Sequence, residues 1–357
     1  MAKRVLLLGA VCLALIGIAL IGASTRANSA STTNRATPTL TGKLRIFAYS
    51  DAFDPSIFNP FVKANPKLSI QKAEISSDEE AVAKLKAGFQ ADIVNSCAGP
   101  VDQERTNGSL QPIDTSRIKD WSKIYPFFKN IKGVTVNGKI YMLPLVGGAY
   151  GLVYRPSVFK TPPKSWMDLF TTDKRITEPD DPLTNIITAG LALGYFPPQS
   201  MTPAQLAKVK QLLLTQKKHV VTYYQGSALT TLWQNDEVDI VPTDITLVDQ
   251  VKGKDAAFAP MNPPLAWTCG YSIGAHAQNL DAVYAYLNWA ATPFVQDTQA
   301  TKFSYLVSNK RSVSKLPASV LKMTGQQNIS KYKKAATFGL PKNNASWTAL
   351  WQSVKAG

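Results

Sequence analysis

Histidine and cysteine are the scarce residues of this chain. It has two of the first and three of the second in 357 residues. His219 and His276 leave little for general-base chemistry, which most often falls to imidazole. The cysteines are not paired at the spacings that hold zinc. No nucleophile elbow, His-Glu-x-x-His helix or phosphate-binding Gly-Lys loop is read in the chain. The expectation is a binding protein, not an enzyme, with no metal and no other cofactor.

Acids are also in short supply, 24 against 39 lysines and arginines, for a formal charge of +15. So basic a chain invites nucleic acid or an anionic surface as a partner. The lysines are scattered, however, and the densest runs, Lys217-Lys218 and Lys331–Lys334, are short. A diffuse basic surface without a nucleic-acid partner is the reading.

Long apolar runs are missing except at the start. There Met1-Ala-Lys-Arg precedes an apolar run from Val5 to Gly22 and a stretch rich in Ala and Ser, Ala23–Ala30. That is the layout of a secretory signal peptide over residues 1–30, which implies an extracytoplasmic or periplasmic protein. An uncleaved anchor over Val5–Gly22 is the alternative. Lipidation at Cys12 is rejected, because Val11 stands where a small residue is needed and the apolar run continues past it. Residues 31–42, rich in Ser, Thr and Asn, read as a flexible tether. Signal removal leaves Cys97 and Cys269, which in an exported protein suggest a disulfide. Two free thiols holding a soft metal are the other reading, with neither histidine near these motifs.

From Leu44 onward strand and helix alternate. Leu44–Tyr49 and Leu68–Ile75 are β-like, Pro55–Ala64 reads as a helix with proline in its first turn, and Asp92-Ile-Val starts a third strand. Ser77 and Glu80 have the spacing of a capping box, followed by Ala81, Val82 and Leu85 at helical intervals. Alternation of this kind predicts an α/β fold with a mostly parallel sheet. Asn137-Gly138 between two β-rich runs predicts a hairpin. The glycine-bearing stretch that follows, into Tyr150–Tyr154, has the look of an extended crossover between lobes. Helices are expected at Leu183–Leu193, Pro203–Leu214, Ser227–Gln234, Leu280–Ala290 and Ala345–Ala356, with strands at Val238–Val241 and Trp267–Ala275. Tyr223 and Tyr224 are read as structural.

The stretch Ala91–Asp114 is the most telling. A short apolar run ends in Asn95-Ser-Cys-Ala-Gly, and after a helix-permissive segment comes Gly108-Ser-Leu-Gln-Pro-Ile-Asp. Ligands of open α/β sheets sit past the carboxyl ends of such strands. Together with Val136-Asn-Gly-Lys-Ile-Tyr-Met-Leu-Pro, Ser165-Trp-Met-Asp-Leu-Phe and Asn279–Trp289, it resembles bacterial extracytoplasmic solute-binding proteins of the spermidine/putrescine-binding type. These are the ligand-capturing subunits of ABC importers.

The resemblance implies a two-lobed, periplasmic-binding-protein-like fold of type II with hinge strands. Lobe 1 would take residues 43–146 and 268–313, lobe 2 residues 147–267 and 314–357. It implies a monomer that closes over a polyamine-like solute and delivers it to an ABC permease. The ligand contacts it implies are Tyr49, Ser50 and Asp51 after the first strand, Cys97 and Ala98 after the third, and Asp181, Thr184, Asp244, Trp267 and Cys269. Asp181 has an ordinary reading beside this one, as the N-cap of a helix. Thr184 and Cys269 stand where the resemblance implies acids. Cys97 and Cys269 both fall at pocket positions of lobe 1, which implies that they are bonded to each other. An amino acid or organic anion in the same fold, or a membrane-anchored sensory binding protein, are the alternatives.

Overall fold

The computed structural model describes residues 39–357 other than Lys132 and Ser227. The expected signal peptide and residues 31–38 of the expected tether lie outside the described residues, and Gly42 already belongs to the first strand. Thr39–Gly357 form one compact unit. Among the described residues no helix is long and apolar enough to cross a membrane.

The first lobe is built from strand–helix units. β1 (Gly42–Ala48) pairs in parallel with β2 (Leu68–Glu74) on one side and β3 (Ile93–Cys97) on the other. Pro55 opens α1 (Pro55–Ala64) after Asp54, whose carboxylate accepts from Ser56 N. α2 (Asp78–Lys86) starts after Ser77, whose hydroxyl accepts from the amide of Glu80. The box expected here closes one residue early, since the Glu80 carboxylate takes the amide of Ser76. α3 (Val101–Thr106) leaves the loop that follows β3.

Two long antiparallel strands carry the sheet onward. β4 (Leu143–Tyr154) precedes β5 (Ile176–Pro179), α4 (Pro182–Ala192), α5 (Pro203–Lys217), β6 (Val220–Tyr224) and β7 (Ile240–Asp244). β8 (Leu265–Gly274) then returns. The sheet order is β2-β1-β3-β8-β4-β7-β5-β6. The start of β4 pairs with Cys269–Tyr271, beside β3, whereas Tyr150–Tyr154 pair with β7. The crossing falls at Gly147 and Gly148, opposite Thr268 and Trp267.

Each half of the sheet is covered on both faces, as parallel strands require. In β1, Ile46 and Ala48 enter one core with Ile93, Leu143 and Ile273, while Phe47 enters another with Val94 and Met142. In β4, Leu152 and Tyr154 face a core with Ile176, Ile240 and Leu265, and Val153 one with Trp233 and Val241. Full burial of side chains such as Phe47, Ile46 or Ile93 contributes roughly 1.5–3 kcal/mol each. α6 (Leu280–Ala290) and α7 (Pro293–Phe303) pack on the first core, and α8 (Asn344–Ala356) brings Trp347, Trp351 and Val354 to the second. Leu316 still lies in the first core and Ala336 in the second.

Several local expectations differ in detail. The hairpin forms at Thr135–Val136 and Lys139–Ile140, with both Asn137 and Gly138 at positive φ, as its tight turn requires. β5 and β6 were not expected. Glu178 hides the first of these, because its buried carboxylate accepts from Gln216 Nε2 at 2.9 Å inside a core strand. Gly270-Tyr-Ser-Ile-Gly274 does have the Gly-x-Ser-x-Gly spacing, contrary to the expectation of none. Ser272 is fully buried within β8, however, and no strand-to-helix turn exposes it. Of the helix expected at Ser227–Gln234, Ala228–Gln234 is observed and Ser227 lies outside the described residues.

Candidate functional site

β1 and β3 lie side by side, and the residues just past them are those the resemblance implies for ligand contact. The Tyr49 hydroxyl donates to Asp78 Oδ1 at 2.6 Å, joining the end of β1 to the start of α2. Ser50 is exposed at the start of a short 3-10 turn. Asp51, in the same turn, accepts a long hydrogen bond from the Tyr305 hydroxyl at 3.3 Å. Beyond β3, Cys97 is bonded to Cys269, its direct neighbour across β8, and Ala98 N donates to Thr268 O at 2.8 Å. The loop is thereby fixed to the crossing strand. A Cβ on Gly99 would lie 2.4 Å from Phe338 O. Phe338 itself packs edge-on against Tyr150, with ring centroids 4.9 Å apart. A later segment of the chain thus fills the space that a side chain at position 99 would take.

The remaining expected contacts lie on later elements of the chain. Asp181 is the N-cap of α4 and accepts from Leu183 N at 3.0 Å, Thr184 N at 2.8 Å and the Thr184 hydroxyl. The neighbouring Asp180 is engaged elsewhere. It accepts from Trp351 Nε1 at 2.9 Å and Lys355 Nζ at 2.6 Å, tying down α8. Asp244 ends β7 and accepts from Thr246 N at 2.9 Å. Trp267 lies on the crossing strand, edge-on to Tyr305 with centroids 5.0 Å apart, and its buried Nε1 faces the Asp244 carboxylate. A Cβ on Gly148 would stand 2.7 Å from this indole, so glycine is what admits the ring.

Burial and neighbouring charge set the ionisation of these acids. Burial raises the carboxyls of Asp51 and Asp244, against the opposing hydrogen bonds from Tyr305 and Thr246. Burial pushes Asp78 up to about 6; the Tyr49 bond opposes this, and the charges of Glu79 and Asp181 add to it. Glu79 is raised by burial and then by Asp181. Tyr150 is pushed up by burial and then by Tyr224, Asp244, Asp181 and Asp78, so it stands among acids of both lobes. Behind Tyr49, the fully buried Glu104 accepts from Ser96 Oγ at 2.6 Å and is pushed up to about 7, chiefly by burial. Among the described residues, no ion pair includes Asp51, Asp78, Glu79, Glu104, Asp181 or Asp244. Nor does any group of three or more His, Cys, Asp or Glu among them have the arrangement of a metal site.

Of the residues singled out from sequence, Asp51 and Trp267 both meet Tyr305, Asp244 pairs with Tyr150 on the neighbouring strand, and Tyr49 is tied to Asp78. Cys97, Ala98 and Cys269 sit together where β3 meets β8. Ser50 has no tie to the others, and the buried Thr184 is engaged in the α4 cap. Sequence reasoning passed over Asp78, Glu79, Glu104, Tyr150, Tyr224 and Tyr305. The Ser77-Asp-Glu-Glu run was visible, but only as a helix start. Tyr223 packs on Trp351 at 4.9 Å, as a structural residue does, whereas the charges of Asp244 and Asp181 bear on Tyr224.

Two lobes joined by crossing strands, with facing polar groups where they meet, define a protein that clamps a small solute. The chain belongs to the bacterial extracellular solute-binding protein family, whose profile matches residues 56–326. It is 22% identical over 341 residues to the putrescine-binding periplasmic protein PotF of Escherichia coli K12, covering 88% of this chain and 91% of that one. Its fold is similar to that of the spermidine/putrescine ABC transporter substrate-binding protein PotD from Streptococcus pneumoniae. That match has a TM-score of 0.74 and 20% identity, with 88% of this chain and 98% of that chain covered. The binding protein MotA from A. tumefaciens B6, solved with glucopine, is also similar, with a TM-score of 0.72 and 17% identity over 88% of this chain and all of that one.

Proposed function

We propose that this protein captures a small polycationic solute of the putrescine/spermidine class between its lobes. It then presents that solute, outside the cytoplasm, to the permease of an ABC importer. The observation that carries the reading is a set of carboxylates, Asp51, Asp78, Glu104, Asp181 and Asp244, that enter no ion pair among the described residues of a chain with a formal charge of +15. Buried acids without cations are costly unless a cation arrives or a proton stays. An ammonium seated between Tyr150, Tyr305 and Trp267 would meet both carboxylate charge and ring faces. The names of the relatives point the same way. A monomeric carrier cleaved from its signal peptide and free of catalytic activity fits this role.

A fold of this type also takes other solutes, as the glucopine-bound neighbour illustrates. An anion or amino acid would set its carboxylate against this acidic wall, which makes that alternative the weaker one. Isothermal titration of the mature protein tests the reading. Putrescine or spermidine should bind, and Asp244→Asn and Trp267→Ala should each weaken binding by about tenfold or more. Binding of small carboxylates but not amines would refute it.

A further inference from the structure

We propose that Thr246 and Ser304 are positioning residues for solute capture. They tie the turn after Asp244 to the turn before Tyr305, and so hold one side of the site in register with the other. This rests on the polyamine reading and adds to it two side chains that need not touch the solute.

The two turns belong to different cores. Asp244 ends β7, and the short helix Thr246–Gln250 that follows sends Leu247 into the core of Val153 and Trp233. Tyr305 follows α7, whose Ala300 lies with Leu306 in the core of Ile46 and Leu143. Leu306 then pairs with Gly147, at the crossing of β4 and β8. Two hydrogen bonds join the turns beside that crossing. Thr246 Oγ1 donates to Phe303 O at 3.1 Å, while Thr246 N donates to Asp244 Oδ1 at 2.9 Å. The Ser304 hydroxyl donates to the carboxylate of Asp249, on the same short helix.

A hydroxyl at the end of a helix needs no ligand to explain it, since the last carbonyls of a helix lack partners within it. Capping does not explain the serine. Ser304 is the C-cap of α7 with φ at 57°, in the left-handed region where glycine is the favoured residue. Serine bears that backbone cost here, and its buried side chain reaches Asp249. What the two bonds hold is the site. Tyr305, the next residue, donates to Asp51 Oδ2 at 3.3 Å and stands edge-on to Trp267, whose indole faces Asp244. Asp244 and Tyr305 are thus joined twice, through the Trp267 ring and through the bonds of Thr246 to Asp244 and Phe303. Groups held ready in this way bind more tightly, because less has to be ordered when the solute arrives.

Titration calorimetry with putrescine on the mature protein tests this, with a melting curve for each variant. Thr246→Val keeps the shape of the side chain and removes its hydroxyl, and should weaken putrescine by about three- to tenfold. Thr246→Ser should restore binding to within about twofold of the wild type. Ser304→Gly suits the left-handed backbone, so its melting temperature should not fall, yet putrescine should weaken by about the same factor. A purely structural cap would not separate stability from affinity in that way, and Ser304→Gly carries the test if Thr246→Val is unfolded. Folded Thr246→Val and Ser304→Gly variants that bind putrescine as tightly as the wild type overturn this proposal and leave the polyamine reading standing. A loss in Thr246→Val that Thr246→Ser does not restore also overturns it. A wild type that binds neither putrescine nor spermidine overturns both.

Discussion

The Trp267 indole lies over Gly148 because β4 and β8 pair directly there, and a Cβ at 148 would reach within 2.7 Å of the ring. Gly148→Ala should force the indole off Tyr305, destabilising the fold by about 1–3 kcal/mol as overpacking does and weakening putrescine. Urea denaturation and titration calorimetry together check both effects; an unchanged affinity would place Trp267 outside the solute contacts. At this scale the sequence was readable where chemistry and local structure coincide. Asp181 is the N-cap of α4, one of the two readings open from the letters Asp-Pro-Leu-Thr. Asp78 and Tyr305 were not readable, because nothing near them in sequence says which groups they will face.

Among the elements, the join between β3 and β8 decides the shape of the lobe 1 wall. Cys97 and Cys269 are 172 residues apart in sequence and are paired across neighbouring antiparallel strands. Closing so long a loop constrains the unfolded chain by roughly 5 kcal/mol in the entropic account of disulfides. The double variant Cys97→Ser, Cys269→Ser should lose up to about that much in chemical denaturation. A loss near zero would mean that the ladder alone holds β3 to β8. α2 shows the limit of local rules: its start was legible from Ser77, but the bond that Asp78 accepts from Tyr49 comes from tertiary packing.

For the whole molecule, the buried acids couple stability to pH. Asp78 is pushed to about 6 and both Glu104 and Glu178 to about 7, in each case first by burial. Asp51, Glu79 and Asp244 are also raised. Unfolded carboxyls release their protons near pH 4. The raised groups therefore contribute stability that is full below about pH 4 and is lost as pH rises through about 6–7. Glu80, lowered to about 2 first by Lys84 and then by Ser76, has the opposite sign and loses its contribution only in strong acid. The ligand-free melting temperature should fall between about pH 5 and pH 8, while the increment given by putrescine grows over the same range. Thermal melts across that range check it; a ligand increment that shrinks with pH would contradict a cation bound by ionised carboxylates.

The sequence by itself determined the alternation of strands and helices, the glycine-bearing crossover, the cysteine pairing implied by family resemblance, and about half of the cleft residues. These are local patterns, or positions that the resemblance fixes. Only the tertiary structure decided which groups meet. Asp78 takes its bond from Tyr49, Asp51 from Tyr305, and Asp244 faces Trp267, partners far apart along the chain. Hydrogen bonds and burial act through space, so these contacts exist only once the two crossing strands have brought distant segments together.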